Sequence, residues 1–402
     1  MRISIAIRFI ATAAILLATF GAQAGPSMVV DVQSGTVLSH EDAFKRWYPA
    51  SITKLMTIYV VLDAVEKGEI ALNSPVKFSK AASAQPPSKM YWGPGTVLNF
   101  DNAIKILAVK SANDVAMAVA ESLAGSVEAF AARMNAQAAR LGMTGSHFVN
   151  ANGLFADGQY STAHDLALLA MALRRDFPRH AHYFALEGIK YGKEDLANYN
   201  LLIGRFAGAD GMKTGYICAS GFNLVASATR EGRTLIAVVL GADSQKSRAE
   251  IAADLLAKGF GMAPGSGTPL DALQPYGEDR DTVKDVREEM CSEEAVKSRW
   301  DGRQVEGMMT FATPNITEMT RAPELVQVRI GDADGPVAPM AAALFFAQVP
   351  RPTPRPDYEP AAGVPVAESA DADMAEAGAA APAELRPALG IPVPTPRDTA
   401  VN

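Results

Sequence analysis

The chain has 402 residues, of which 49% are hydrophobic and 20% are charged, and its net charge is −7. This length and hydrophobic content are enough for a sizeable core in one or two domains. The modest acidic balance, without a basic run, argues against a nucleic-acid partner. The two cysteines, Cys218 and Cys291, are too few for a disulfide scaffold or a cysteine-rich metal site.

Residues 1–24 have the pattern of a cleaved secretory signal, with two arginines, an apolar run and then Ala22-Gln23-Ala24. We therefore expect export to the periplasm and a mature chain that begins near Gly25. No later stretch reaches the ~18 apolar residues of a transmembrane helix, so we expect a soluble mature protein, with peripheral membrane attachment left open. Export also permits a disulfide between the two cysteines; two buried free thiols are the alternative.

The first structural signals are a hairpin and a helix. Apolar runs over residues 28–40 flank a Ser-Gly pair, which predicts a β-hairpin. Apolar residues then recur at helical spacing over 51–65. Because proline is favoured in the first turn of a helix, Pro49 places Ser51 near the helix N-terminus.

The middle of the chain has a helical pattern. Blocks rich in Ala, Leu and Val predict helices over 100–123 and 126–141. A loop at 150–158 is followed by a third apolar helix over 162–174. We expect these helices to pack together as a cluster.

Beyond residue 213 the pattern changes to a period of two. Segments 221–229 and 234–241 flank a polar turn, which predicts a second hairpin, and a helical run covers 247–259. Strands therefore occur at both ends of this region, with helices between them. The predicted fold is α/β, with an antiparallel sheet formed by N- and C-terminal strands and packed against the helical cluster.

The last third of the chain has weaker patterns. Residues 263–347 are predicted to form a small second module of uncertain fold, with a charged helical stretch at 279–300 and strands at 308–312 and 325–330. Residues 348–402 are rich in proline, alanine and acidic residues, with few aromatics and no periodicity. This composition predicts a disordered tail.

Three short strings carry the chemistry, namely Ser51-Ile52-Thr53-Lys54, Ser111-Ala112-Asn113 and Lys213-Thr214-Gly215. A serine hydroxyl is a poor nucleophile at neutral pH and needs a base within hydrogen-bond reach. An i, i+3 spacing on a helix puts Lys54 on the same face as Ser51. The sequence thus supplies a nucleophile and its base within one helical turn, which predicts a serine acyl-transfer site.

The order S-x-x-K, S-x-N, K-T-G resembles that of the penicillin-interacting serine enzymes. The flanking strings YPASITKLMT, KSANDVAMAVAE and GMKTGY narrow the resemblance to low-molecular-weight penicillin-binding proteins that act as D-alanyl-D-alanine carboxypeptidases. It covers about residues 26–262, and it implies a β-lactamase/transpeptidase-like catalytic domain over 25–262. The chemistry needs no cofactor or metal, and the implied partners are a peptidoglycan stem peptide ending in D-Ala-D-Ala and β-lactam antibiotics.

The resemblance implies a role for each residue of the first two motifs. Ser51 attacks the carbonyl of the penultimate D-alanine and becomes the acyl-enzyme, while a neutral Lys54 takes its proton. Ser111 bridges Lys54 and Lys213 and passes a proton to the leaving D-alanine amine. The side-chain amide of Asn113 holds the backbone of the substrate.

The third motif and its neighbours are implied to bind the carboxylate and the oxyanion. Lys213 contributes positive charge, Thr214 a hydroxyl for the terminal carboxylate, and Gly215 room for the substrate beside the strand. The oxyanion hole is formed by the backbone N–H groups of the nucleophile and of Tyr216. Arg248 is placed near the carboxylate pocket, with a solvated surface arginine as the alternative.

Other functions share parts of this pattern. A β-lactamase has the same motifs, but residues 194–198 match its E-x-x-L-N string only loosely and lie close before Lys213. A D,D-endopeptidase uses the same acylation with another leaving group, and a penicillin sensor is acylated with little turnover. A Ser-His-Asp triad through His164 and Asp165 is disfavoured because successive helical residues do not face each other; a helix N-terminus at Thr162 explains both.

Overall fold

The computed structural model describes residues 25–301 and 310–342. The predicted signal peptide and the predicted disordered tail lie outside this part of the chain. The strands are β1 Ser27–Asp31, β2 Thr36–Glu41, β3 Pro75–Lys77, β4 Val97–Asn99, β5 Gly188–Tyr191, β6 Glu194–Ala197, β7 Ala209–Ile217, β8 Gly221–Arg230, β9 Arg233–Ala242, β10 Thr268–Pro269 and β11 Leu325–Gln327. The helices are α1 Thr53–Glu66, α2 Lys80–Ser83, α3 Phe100–Val109, α4 Asn113–Ala124, α5 Val127–Arg140, α6 Ala163–Asp176, α7 Gln245–Phe260, α8 Arg287–Cys291 and α9 Glu293–Asp301.

A six-stranded antiparallel sheet forms one layer of the molecule, in the order β10-β2-β1-β9-β8-β7. The two predicted hairpins are confirmed as β1–β2 and β8–β9. Val29 of β1 lies opposite Ala237 of β9, so strands from distant parts of the chain share one sheet, as predicted. β7 is an edge strand, and an edge strand presents backbone N–H and C=O groups along one side.

The helix α1 is the centre of the helical layer. It is apolar on all sides and contacts α3, α4, α5 and α6, as expected for a helix enclosed by protein. Lys54 is fully buried in this helix. No single helix in the described ranges is long and apolar enough to cross a membrane; α4 and α5 satisfy the length and apolarity criteria only as a pair bent by 85°.

The predicted helical block over 100–123 is wrong at one place. It forms two helices, α3 and α4, which are separated at Ser111, where φ is +62°. A residue in the left-handed region cannot continue an α-helix, and serine, unlike glycine, gives no compositional warning of that conformation. The break places Ser111 and Asn113 at the N-terminal end of α4, beside α1.

The C-terminal strap, which we define as residues 263–301 and 310–342, is the described part of the small module that we predicted, and its separate status stays a prediction. Its described residues belong to the same compact unit as the preceding chain. β10 extends the main sheet beside β2, and β11 pairs in parallel with β5. Helical structure within 279–300 is limited to α8 and the first part of α9, and residues 310–312 form no strand. The end of the catalytic domain at residue 262 stays a prediction.

A disulfide joins Cys218, which follows β7, to Cys291 at the end of α8, with 5.6 Å between their Cα atoms. Of the two alternatives for these cysteines, the structure has the disulfide. Next to it, the backbone N–H of Val286 donates to the carbonyl of Ala219 at 3.1 Å, and Val286 and Met290 are buried. The strap is therefore held beside the end of β7 by a covalent bond, by hydrogen bonding and by packing.

Candidate active site

The candidate site lies where the turn before α1, the break between α3 and α4, and the edge strand β7 meet. They enclose a cavity of about 320 Å³. The predicted site residues that line it are Ser51, Ser111, Asn113, Thr214, Gly215, Tyr216 and Arg248. Lys54 and Lys213 are buried among these residues. The structure therefore brings all of the predicted site residues together.

The Lys54 amine has three oxygen atoms around it. Its Nζ lies 2.8 Å from the Ser51 Oγ, 2.8 Å from the Asn113 Oδ1 and 2.7 Å from the carbonyl oxygen of Asn152. The oxygens of Asn113 and Asn152 can only accept hydrogen bonds, so they take both hydrogens of a neutral amine. The lone pair of that amine is then left for the Ser51 hydroxyl, which is the arrangement a general base requires.

The surroundings of Lys54 favour the neutral amine. Burial lowers the pKa of Lys54 well below its usual value, and the positive charge of Lys213 lowers it further, while Asp114 acts in the opposite direction. Removing the amine from water disfavours its charged form. The geometry and the electrostatics therefore agree on a base next to the serine.

The turn that carries Ser51 is held in a strained backbone conformation. Ala50, just before the serine, has φ +49°. A Cβ on Gly153 would lie 1.8 Å from the Ala50 carbonyl oxygen, so only glycine allows this approach. The Asn223 side chain donates to the carbonyl of Tyr48 at 3.0 Å from the other side. Neighbouring elements thus fix the direction in which the serine points.

A close contact within the protein requires glycine at position 215, in addition to the predicted room for substrate. A Cβ there would lie 2.9 Å from the Pro49 carbonyl oxygen and 3.1 Å from the backbone nitrogen of Ser51. Glycine thus lets β7 approach the turn that carries Ser51. This contact brings the backbone of Ser51 and that of Tyr216, the two expected oxyanion donors, to neighbouring positions.

Ser111 and Asn113 differ from their expected contacts. Among the described residues the buried Ser111 Oγ has no hydrogen-bond partner, so the expected bridge to the two lysines is not formed here. The Asn113 amide nitrogen donates to the carbonyls of Pro86 and Pro87, at 3.0 and 3.2 Å. Both ends of this amide are therefore bound by the protein, and holding a substrate backbone requires giving up the proline contacts.

Two further cations are buried on the β7 side of the cavity. Lys213 donates to the carbonyl of Thr214 at 3.0 Å, and burial together with the charge of Arg248 lowers the pKa of Lys213 to about 7. Arg248 on α7 is 4% exposed and donates to the carbonyls of Gly215 and Tyr199, both at 3.2 Å. The alternative of a solvated arginine is therefore wrong.

The cations of this region form no ion pair in the described part of the chain, although the charge of Asp114 favours the charged form of Lys54. No ion pair within residues 25–301 and 310–342 involves Lys54, Lys213 or Arg248. Burial lowers the pKa of Arg248 to about 9, which still leaves the guanidinium charged at neutral pH. Buried cations without carboxylate partners favour an anionic ligand. The cavity is thus suited to a substrate with a free carboxylate.

Some functional contacts carried no signal in the sequence. Asn152 acts through its backbone carbonyl, and backbone atoms are the same in every residue type. Pro86 and Pro87 also act through carbonyls. Tyr199 and Gln245 line the cavity although no motif includes them. The loop at 150–158 was recognised as a loop, but its contact with Lys54 depends on tertiary structure alone.

The two disfavoured constellations lie elsewhere. His164 Nδ1 is 3.0 Å from Asp165 Oδ1, so these successive residues do contact each other, contrary to what we expected. Neither residue lines the cavity, however, and Thr162 caps α6 by accepting a hydrogen bond from the Asp165 backbone. Glu194 is exposed in β6 and is also absent from the cavity wall. The positions of these residues therefore support neither a Ser-His-Asp triad nor the additional carboxylate base of a β-lactamase.

Comparison with known proteins agrees with this geometry. Residues 14–244 match the profile of peptidase family S11, described as D-alanyl-D-alanine carboxypeptidase. The D-alanyl-D-alanine carboxypeptidase DacC of Escherichia coli is 38% identical over 240 residues, which are 58% of this chain and 60% of that protein. The crystal structure of penicillin-binding protein 6B from Escherichia coli is similar with a TM-score of 0.57 and 34% identity, covering 60% of this chain and 78% of that one.

A ligand-bound structure is also similar. Penicillin-binding protein D2 from Listeria monocytogenes, in its cefotaxime-bound form, has a TM-score of 0.54 and 30% identity, covering 59% of this chain and 97% of that one.

This chain belongs to the D-alanyl-D-alanine carboxypeptidase family S11. The resemblance inferred from the motifs and the α/β fold class are confirmed. The chain spans about 60% of the length of the curated relatives that it matches.

Proposed function

We propose that this chain is an exported serine-type D-alanyl-D-alanine carboxypeptidase, which removes the terminal D-alanine from peptidoglycan pentapeptides. The observation that carries the proposal is the 2.8 Å contact between Ser51 Oγ and a buried Lys54 whose other two hydrogen-bond positions are occupied by obligate acceptors. Family membership supports the reaction class. The signal-like residues 1–24 support export to the periplasm.

Acylation begins with binding of the substrate carboxylate. Thr214, Lys213 and Arg248 provide a hydroxyl and positive charge for it. Lys54 then accepts the hydroxyl proton as Ser51 attacks the carbonyl of the penultimate D-alanine. The backbone N–H groups of Ser51 and Tyr216 stabilise the oxyanion, and such donors contribute about 2.7–4 kcal/mol each in other enzymes.

Collapse of the tetrahedral intermediate breaks the amide C–N bond. Ser111, whose hydroxyl has no partner among the described residues, is free to pass a proton to the leaving D-alanine amine. Water then hydrolyses the Ser51 ester and regenerates the enzyme. The same serine would open a β-lactam ring, and the cefotaxime-bound structure of the Listeria relative supports this partner.

The test measures D-alanine released from a muramyl pentapeptide by the wild-type protein and by a Ser51→Ala variant, with intact-mass detection of a penicilloyl adduct on each. We expect release and adduct for the wild type and neither for the variant. Adduct formation without D-alanine release would leave a penicillin sensor as the function. Rapid hydrolysis of the penicillin itself would instead identify a β-lactamase.

A further inference from the structure

Two exposed aromatic rings lie at the mouth of the candidate active site. Tyr216 lines the cavity and is 40% exposed. Phe155 is 46% exposed and directly follows Leu154, which also lines the cavity. Because both residues are next to the cavity and open to solvent, they form its rim, one on the β7 side and the other on the side of the loop at 150–158. An aromatic ring in such a position offers a large apolar surface to a ligand.

The inner side of each ring packs against the main body of the protein. Tyr216 stacks on Phe222 of β8, with 4.2 Å between the ring centroids. Phe155 packs on Tyr48, at 5.1 Å between the centroids, and Tyr48 precedes the turn that carries Ser51. The two rings are therefore supported from within, each by a different segment.

The short helix α8 of the strap contacts both rings from outside. The guanidinium carbon of Arg287, at the start of α8, lies 4.8 Å from the centroid of the Phe155 ring, which is a cation–π contact. The Tyr216 hydroxyl lies 3.2 Å from the Sγ of Cys291, at the end of α8, and it donates because a disulfide sulfur carries no hydrogen. Residues four apart lie on the same face of a helix. One face of α8 thus connects the two sides of the mouth.

The position of α8 depends on its anchors. A helix of five residues is not stable alone in water. The disulfide to Cys218, the hydrogen bond from the Val286 N–H to the Ala219 carbonyl, and the buried side chain of Met290 hold it in place. Arg287 adds nothing to this buried packing, since its side chain is 53% exposed. Its contact with the ring therefore requires another explanation than the stability of the fold.

We propose that α8 is a specificity element of the active site, in which Arg287 and Cys291 position Phe155 and Tyr216 so that the two rings bind the part of the stem peptide outside the cavity. The proposal rests on the proposed function, because it assumes that this peptide is the acyl donor to Ser51. Five extended residues span up to about 17 Å, which is more than a cavity of about 320 Å³ encloses. Part of the peptide must therefore cross the mouth, whereas a penicillin is compact. Arg287 and Cys291 act through the rings and are positioning residues.

The experiment uses the full chain and two acyl donors, a muramyl pentapeptide and a fluorescent penicillin. The variants Arg287→Ala, Phe155→Leu and their combination form a double-mutant cycle, which measures whether the arginine acts through the ring. Arg287→Lys keeps a cation at the same position. Arg280→Ala is the matched control, since it removes an arginine of the same strap that pairs with Asp281 at 3.8 Å and does not line the cavity.

We expect Arg287→Ala to lower kcat/KM for the pentapeptide by about fivefold, mainly through KM. Acylation by the penicillin should stay near the wild-type rate, because the penicillin does not need the rim. Phe155→Leu should have the same effect, and adding Arg287→Ala to it should cause no further loss. Arg287→Lys should recover most of the activity, and the Arg280 variant should match the wild type.

The other anchor of α8 is tested by the Cys218→Ser, Cys291→Ser variant, which should also raise KM for the pentapeptide while it is still labelled by the penicillin. An unchanged KM in this variant or in Arg287→Ala would overturn the proposal.

Three further outcomes would contradict the specificity element. Equal losses of pentapeptide hydrolysis and penicillin acylation in Arg287→Ala would mean that α8 supports the fold or Ser51 rather than peptide binding. Additive losses in the double-mutant cycle would show that Arg287 does not act through Phe155. Absence of D-alanine release by the wild type would remove the proposed function, and this inference with it.

Discussion

The region from β1 to α7 and the C-terminal strap are built in different ways. The first region has long elements and supplies most of the residues of two hydrophobic core clusters. The strap has short elements, and its buried side chains pack into cores formed by the first region, as Met290 and Ile316 do. A region that forms its own core has a hydrophobic periodicity from which its secondary structure can be predicted. A region that packs against the core of another region has little such periodicity.

The largest expected effect is on the acylation rate when Lys54, the proposed base, is replaced. Replacement of Lys54 by alanine should slow acylation of Ser51 by about 10³-fold, within the range of general-base contributions. A matched control is Lys67→Ala, at the end of the same helix, where the lysine is exposed and pairs with Asp63 at 2.7 Å. Stopped-flow acylation with a fluorescent penicillin measures both. Equal rates for the two variants would contradict the role of Lys54.

The tie between the two regions is tested by removing the disulfide. The Cys218→Ser, Cys291→Ser double variant opens a loop with a sequence separation of 73 residues. Chain entropy predicts a loss of about 4 kcal/mol in the free energy of unfolding. Urea unfolding of the oxidised wild type and the double variant measures the loss.

The same experiment sharpens the comparison between the regions. If the strap shares the core of the first region, both proteins should unfold in a single transition when fluorescence and circular dichroism are compared. Two separate transitions in the wild type would mean that the strap is the independent module that we first expected. A loss below about 1 kcal/mol would show that the disulfide adds little to the packing.

Close backbone contacts within the first region are tested by a pair of glycines. Gly153 and Gly35 both have positive φ, +81° and +68°, but only Gly153 has backbone atoms within reach of an added Cβ. Gly35→Ala should cost about 1 kcal/mol from backbone conformation alone. Gly153→Ala should cost about 3 kcal/mol, because steric strain adds to the same penalty.

Activity separates the two glycine variants further. The Gly153 contact holds the turn of the nucleophile, so the Gly153 variant should also lose acylation rate at temperatures where it is folded. The Gly35 variant, which alters the β1–β2 turn, should acylate at the wild-type rate. Denaturant melts give the first comparison and penicillin acylation gives the second. Similar behaviour of the two variants would show that the contact is not restrictive.

The smallest expected effect is a change in pH dependence. Acylation requires a neutral Lys54 and a charged Lys213, so kcat/KM should rise as Lys54 loses its proton and fall as Lys213 loses its own, near pH 7. Binding of a carboxylate favours the charged form of Lys213. The alkaline limb of the kcat profile should therefore lie at higher pH than that of kcat/KM. In Lys213→Arg the alkaline limb should disappear, since a guanidinium keeps its charge. Persistence of that limb would assign it to another group.

Chemistry was more predictable from the sequence than conformation. Ser51, Lys54 and Lys213 were predicted to share one site because the proposed reaction restricts both residue type and spacing. The hairpins and α5, α6 and α7 followed from periodicity and turn residues. The left-handed break at Ser111 was missed, because that conformation is set by the contacts of α3 and α4 with their neighbours.

Contacts made through backbone atoms or between distant segments could not be predicted from the sequence either. The carbonyl of Asn152 at Lys54 and the close approach of Gly215 to the turn of Ser51 arise only when three segments meet. The mouth of the candidate site has the same origin, because β7, the loop at 150–158 and the strap meet there. A sequence pattern describes one segment at a time. It can therefore indicate individual site residues, but not the cavity walls that several segments form together.

The pairing of β1 with β9 sets the order in which the molecule can mature during synthesis. The strand of Met28 has both of its neighbours only after the strand of Val238 has been synthesised. Ser51 is likewise synthesised before the residues of β7 that lie near it. A nascent chain that ends before residue 209 contains Ser51 and Lys54 but lacks β7 and Arg248. We expect such an intermediate to be unreactive toward acyl donors until β7 and the elements that follow it have been made.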